Sequence, residues 1–123
     1  MHNNFFTFIK YRIKAFKFAF KGFYILISQE HSIIAQLIIA ILVTILGFVV
    51  KISTTEWLIQ ILAIGLMLSI ESLNTAIERL ADFVHPDHHK KIGIIKDIGA
   101  GAAFFAAVTA IIVGLVIYLP KLF

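Results

Sequence analysis

The stretch WLIQILAIGLMLSIESLNTAIERLAD, Trp57 to Asp82, begins as a run fit for lipid hydrocarbon and ends as a polar stripe. Its apolar part, Trp57 to Ile70, is too short to cross a bilayer, which takes about 20 apolar residues. A span here must continue through Glu71, past the point at which charge enters the helix. At about 100° per residue Glu71, Asn74, Glu78 and Asp82 all fall on one face. From Glu71 to Glu78 that face climbs roughly 10 Å. The two carboxylates are therefore too far apart to share one ion, and well spaced for separate tasks along an elongated substrate.

The flanking sequence has the same character. Of 123 residues 60% are hydrophobic and 15% charged, and the mean hydropathy is +0.96, well above the composition of ordinary soluble domains. The chain reads as one integral-membrane domain, residues 1–123, with no polar linker and no internal repeat. SIIAQLIIAILVTILGFVV, residues 32–50, is a first span, and the second covers about residues 57–80. The third, about residues 98–119, carries Gly99, Ala103, Ala106, Ala107, Ala110 and Gly114 at helical spacing, which lets a neighbouring helix approach closely. About residues 5–22 form an amphipathic surface helix: Lys10, Lys14, Lys17 and Lys21 share one face, and Phe5, Ile9, Phe16, Ala19 and Phe20 gather opposite. Arg12 departs from this pattern and projects within the apolar face, either snorkelling to the surface or facing a site.

Basic residues cluster in the N-terminal segment and, as Lys90, Lys91 and Lys96, between the second and third spans. Both segments are therefore expected on the cytoplasmic side. The net charge of +4 reflects this topology rather than nucleic-acid affinity. The absence of Cys excludes disulfides, thiolate metal sites and Cys nucleophiles. A chain this small can hardly enclose a large polar site alone, which points to an oligomer.

An ionisable group inside a membrane span is costly and marks function by default. A carboxylate at the depth of Glu71 could take a proton from a lipid hydroxyl. Glu78, nearer the surface, could with Glu30 just before the first span hold Mg²⁺ bound to phosphates. Lys96 and Asp97, at the entrance to the third span, could add a phosphate contact and a polar anchor. Blander readings stand beside these. Glu78, Arg79 and Asp82 could be solvated charges where the helix leaves the membrane, Asn74 could only join helices, and Lys96 with Asp97 could be an interfacial cap. HPDHH, residues 85–89, suits an exposed turn better than a metal site. A proton-coupled transporter built around Glu71 is the alternative from another class.

ESLNTAIERLAD, residues 71–82, resembles the E-x-x-N-[ST]-A-I-E-x-x-x-D signature of the small prokaryotic diacylglycerol kinase family, which includes undecaprenol kinases. FKFAFKG at residues 16–22, Glu30, and KDIGAGA at residues 96–102 extend the resemblance over nearly the whole chain. It implies an all-α homotrimer of three-span subunits in the bacterial inner membrane, each with an N-terminal surface helix, passing the γ-phosphate of ATP to a lipid hydroxyl. Carried over by residue, Glu71 would be the general base, Asn74 would orient the reacting groups, and Glu30 and Glu78 would hold catalytic Mg²⁺. Asp87, His88, His89, Lys96 and Asp97 would meet the nucleotide, with Asp82 completing the stripe. The family's nucleotide-contacting Arg falls on Tyr11, one place from Arg12, and a position often Tyr in the family is Phe18. There is neither a P-loop nor a protein-kinase signature. Glu56-Trp57 and Tyr118-Leu119-Pro120 resemble the undecaprenol kinase branch, while the shared motifs leave diacylglycerol and undecaprenol both open as acceptors.

Overall fold

The computed structural model describes residues 4–123, which form four helices: α1 Asn4–Gln29, α2 His31–Val49, α3 Thr54–Val84 and α4 Lys90–Leu122. The described residues are all-helical, as the composition implied. Three of the helices, α2, α3 and α4, are long and apolar enough to cross a membrane. At about 1.5 Å per residue α3 and α4 are each well over 40 Å long, so both outreach a hydrocarbon layer about 30 Å thick. Their polar ends therefore stand at or beyond the interface.

α1 continues past the residue-22 boundary expected from the charge pattern and ends at Gln29. FYILISQ contains neither Gly nor Pro to stop a helix, and the gradual loss of amphipathic pattern is no stop signal. Among the described residues none of α1 is buried, and its Phe and Tyr side chains are exposed along its length. The helix is broken by a single residue. Glu30 adopts an extended conformation, φ −101° and ψ 108°, as the N-cap of α2. Its carbonyl accepts from the Ile34 amide at 3.0 Å, so a carboxylate stands at the corner between α1 and α2.

α2 and α3 form a tight hairpin. Lys51, with φ 55°, takes the left-handed conformation that commonly ends helices, and the Ile52 amide bonds back to the Gly47 carbonyl at 3.1 Å. Ser53 then opens α3 with a capping box: its hydroxyl accepts from the Glu56 amide at 3.2 Å, and the Glu56 carboxylate accepts from the Ser53 amide at 2.9 Å. Gly47 is required here, because a Cβ would come within 2.8 Å of the Trp57 ring.

The packing is inverted relative to a water-soluble bundle. Most Ile, Leu and Phe side chains face outward, while the buried positions include, beside Ile33, Ile52 and Ile117, the small or polar Ala40, Gly47, Asn74, Thr75, Ala81, Gly99 and Ala106. Helices in lipid associate through close backbone approach and polar contacts rather than through expulsion of water, which favours small residues between them. α4 packs along α3 most extensively, α2 less so, and α1 meets mainly α2. Of the small residues of α4, Gly99 and Ala106 are buried against neighbouring helices. Ala107, Ala110 and Gly114 instead line a cavity.

Candidate active site

The polar stripe of α3 lies at the end of the bundle where α2 begins and α3 ends. Glu71 is half-buried, and the Ser32 hydroxyl, in the first turn of α2, donates to its Oε1 at 2.9 Å. A carboxylate on a helix long and apolar enough to cross a membrane benefits from such a donor, because lipid supplies none. One turn on, Asn74 is 6% exposed, and its Nδ2 donates to Glu78 Oε1 at 3.0 Å. The Asn74 Oδ1 atom is buried without a hydrogen-bond partner and lies directly against Gly99 of α4, where a Cβ could not fit. Glu78 itself is exposed.

Two ion pairs cross between helices at this end. The Arg79 guanidinium reaches Glu30, with Nε 3.1 Å from Oε1 and Nη2 also on that oxygen, and Nη2 lies 3.4 Å from Gln29 Oε1. Lys96 of α4 meets Asp82 of α3 at 2.5 Å. Glu30, Glu71, Asn74, Glu78, Asp82 and Lys96 are thus assembled from three helices. Asp97 is exposed and makes no ion pair among the described residues.

The remaining sequence candidates are less closely engaged. Arg12 sits on exposed α1 with its guanidinium 5.7 Å from the centre of the Phe8 ring. Asp87 and His88 are exposed in the connection before α4. His89 is the N-cap of α4, its Nδ1 accepting from the Lys91 amide at 3.1 Å, and its ring packs edge-on against His85 at 4.9 Å. Two contributors escaped the sequence reading. Arg79 passes for a solvated charge, and Ser32 for a polar residue at the mouth of a span; their partners are 49 and 39 positions away. The only local sign was the position of Arg79 immediately after Glu78.

Below Glu71 a cavity of about 370 Å³ opens between α2, α3 and α4. Gln36, one turn beyond Ser32, and Met67, one turn before Glu71, stand at its near end, and Gln60 lies at its far end. Its walls are otherwise apolar and small, including Ala107, Ala110 and Gly114.

No group of three or more His, Asp or Glu side chains converges as a metal site among the described residues. The donor set nevertheless suits Mg²⁺ held together with a nucleotide, a mode in which one or two carboxylates suffice and phosphate oxygens and water complete the shell. Glu30 already attracts a cation, and Glu78 is oriented by Asn74.

Three membrane-length helices, with carboxylates gathered toward one end of the bundle, describe a membrane protein with an acidic site at that end. Residues 17–118 match the profile of the prokaryotic diacylglycerol kinase family. The chain is 41% identical to the undecaprenol kinase of Bacillus subtilis (strain 168) over 109 residues, 89% of each chain. It is 25% identical to the diacylglycerol kinase of Escherichia coli (strain K12) over 100 residues, 81% of this chain and 82% of that one. A diacylglycerol kinase of Synechocystis sp. matches at 43% over 58 residues, 46% of this chain and 33% of its own. The protein belongs to the prokaryotic diacylglycerol kinase family and is a lipid kinase. The transporter reading of Glu71 finds no support among these relatives.

Proposed function

We propose that the protein transfers the γ-phosphate of ATP, with Mg²⁺, to the hydroxyl of a long-chain membrane lipid, undecaprenol or diacylglycerol. It works as a homotrimer in the bacterial inner membrane, with its N-terminus cytoplasmic and α1 lying in the interface. The observation that carries this reading is the Ser32-tethered carboxylate of Glu71 at depth, continuous along one helix face with Asn74 and Glu78 and level with the Glu30 corner. The stripe spans the distance between a hydroxyl in the membrane and a nucleotide at its surface.

In this reading Glu71 Oε2 receives the proton as the lipid oxygen bonds to the γ-phosphorus and the bond to the β-bridging oxygen breaks, leaving ADP. Ser32 holds the other oxygen of Glu71 and fixes the carboxylate's direction. Asn74 orients Glu78, and Glu30 and Glu78 hold the metal. When bound, Mg²⁺ neutralises charge on the phosphates. Lys96, Asp97 and the connection Asp87, His88 and His89 face the nucleotide, and Asp82 keeps Lys96 at the rim. Arg12 reaches the nucleotide from α1. The apolar cavity below Glu71 suits the hydrocarbon tail that follows the reacting hydroxyl. The 41% identity to an undecaprenol kinase makes a polyprenol the first acceptor to try.

The test is transfer of labelled γ-phosphate in mixed micelles, with undecaprenol and diacylglycerol offered separately, Mg²⁺ present or chelated, and Glu71→Gln alongside. Labelling that depends on both Mg²⁺ and Glu71 supports the reading and names the acceptor. Labelling that survives chelation, or that Glu71→Gln leaves intact, overturns the assigned chemistry.

A further inference from the structure

The chain has two arginines, and one of them, Arg79, occupies the carboxylate assigned to the metal. Its Nε and Nη2 atoms both contact Glu30 Oε1, and Nη2 also lies 3.4 Å from Gln29 Oε1, leaving Nη1 without a protein partner among the described residues. The exposures of the two side chains differ in an informative way. Arg79 is 51% exposed and Glu30 23%, so the carboxylate is the more covered of the two and the guanidinium keeps an open side.

A guanidinium on Glu30 Oε1 and a divalent cation on the same carboxylate repel one another and crowd one small group, so each weakens the other's hold even where the second oxygen is open. Half-exposed and on a flexible stem, Arg79 can move. A planar guanidinium with an unused pair of donors is also well matched to phosphate oxygens. A triphosphate arriving with its metal therefore offers Arg79 a new partner at the moment Glu30 is needed elsewhere.

We propose that Arg79 is a built-in competitor for the metal at Glu30 that becomes a phosphate ligand when the nucleotide binds. It rests on the reading of Glu30 and Glu78 as the metal carboxylates, and it makes Arg79 a nucleotide-binding residue outside the set carried by the family signature. Without nucleotide, Arg79 keeps metal affinity low; with nucleotide, its displacement couples the binding of metal to the binding of triphosphate.

The experiment measures two affinities on the purified full chain in lipid nanodiscs, for wild type, Arg79→Ala and Arg79→Lys. Mn²⁺ binding without nucleotide is followed by electron paramagnetic resonance, and binding of the β,γ-imido analogue of ATP with Mg²⁺ by calorimetry. Arg79→Ala should bind Mn²⁺ alone about two- to fivefold more tightly, the range set by loss of a partly exposed ion pair. It should bind the analogue roughly five- to tenfold more weakly, through loss of a charged phosphate contact. Arg79→Lys, which keeps the charge without the planar fork, should fall between. Weaker Mn²⁺ binding by Arg79→Ala would mean that Arg79 only positions Glu30, and unchanged analogue binding would remove it from the nucleotide site; either result overturns the proposal. Lipid phosphorylation by wild type in the same preparation separates the two levels. If wild type phosphorylates lipid while the variants match it in both affinities, the role of Arg79 is wrong and the kinase chemistry stands. If wild type neither binds the analogue nor phosphorylates lipid, the underlying site reading fails with it.

Discussion

At one end of the bundle Tyr118, Gln60, Glu56 and Lys121 close on one another and on backbone. At the other, Glu30, Glu71 and Glu78 each engage only one carboxylate oxygen through hydrogen bonds among the described residues. The Tyr118 hydroxyl lies 2.6 Å from Gln60 Oε1 and 3.1 Å from the Val43 carbonyl, so three helices meet at one atom. Ile52, Ile117 and Tyr118 form a small buried cluster there, packed by Trp57 and Leu46. The closed end fixes the helices; the open end keeps charge exposed and polar capacity unused. A membrane enzyme needs both, because a site of exposed carboxylates contributes little packing of its own and must be held in register from elsewhere.

The largest effect expected from breaking this contrast is at Glu71. Glu71→Gln keeps the shape and the Ser32 contact but cannot take a proton. Turnover should fall by about 10²- to 10⁴-fold, the usual contribution of a general base, with nucleotide binding and assembly state preserved. Single-turnover phosphate transfer together with sedimentation of the detergent-solubilised protein checks both. Loss of assembly with the same substitution would move Glu71 into the structural class. Next comes Asn74, buried and donating to Glu78. Asn74→Ala should weaken metal-dependent nucleotide binding by about ten- to a hundredfold, as loss of the partner that orients a metal ligand does. A metal titration that overlays wild type would reduce Asn74 to a helix joiner.

These assignments show what a sequence can carry. The face bearing Glu71, Asn74, Glu78 and Asp82 is legible because helical periodicity is local, and α2 is legible because nineteen residues of almost unbroken hydrocarbon character have few other destinations. α1 and α4 run beyond the boundaries the apolar pattern suggests. Residues 23–29 and 90–97 add turns outside the amphipathic pattern or the apolar run, and helix propensity alone leaves little trace. The pairings of Arg79 with Glu30, Ser32 with Glu71 and Lys96 with Asp82 were illegible for a different reason. They depend on which helix lies beside which and at what height, a matter set by Gly99 and the other small buried residues between the helices rather than by the charged residues themselves.

The closed end makes smaller, purely structural predictions. Tyr118→Phe removes the hydroxyl shared by Gln60 and the Val43 carbonyl and leaves Gln60 Oε1 buried without a donor, in a side chain whose Nε2 already has no partner. The expected cost is about 1–2 kcal/mol of stability, read from thermal or denaturant unfolding in detergent. In a Gln60→Leu background the same change should cost much less, because no polar atom of residue 60 remains to be stranded. Equal costs in both backgrounds would show that the hydroxyl acts through the Val43 carbonyl rather than through Gln60.

The smallest effect belongs to Lys121, whose Nζ lies 3.1 Å from Glu56 Oε1. Both side chains are partly exposed, 29% and 26%, and such pairs contribute about 0–1 kcal/mol. Glu56 has a second task, accepting the Ser53 amide as half of the capping box. Lys121→Ala should therefore destabilise by less than about 1 kcal/mol, whereas Glu56→Ala loses the cap as well and should cost about 0.5–2 kcal/mol. The Lys121 effect should fade as salt is raised, whereas the Glu56 effect should fall only to the share contributed by the cap. Both variants should keep wild-type turnover at temperatures where they remain folded, since the pair lies at the end of the bundle remote from Glu71. A loss of turnover without a matching loss of stability would mean that the closed end does more than hold the helices in register, and would break the division of labour between the two ends.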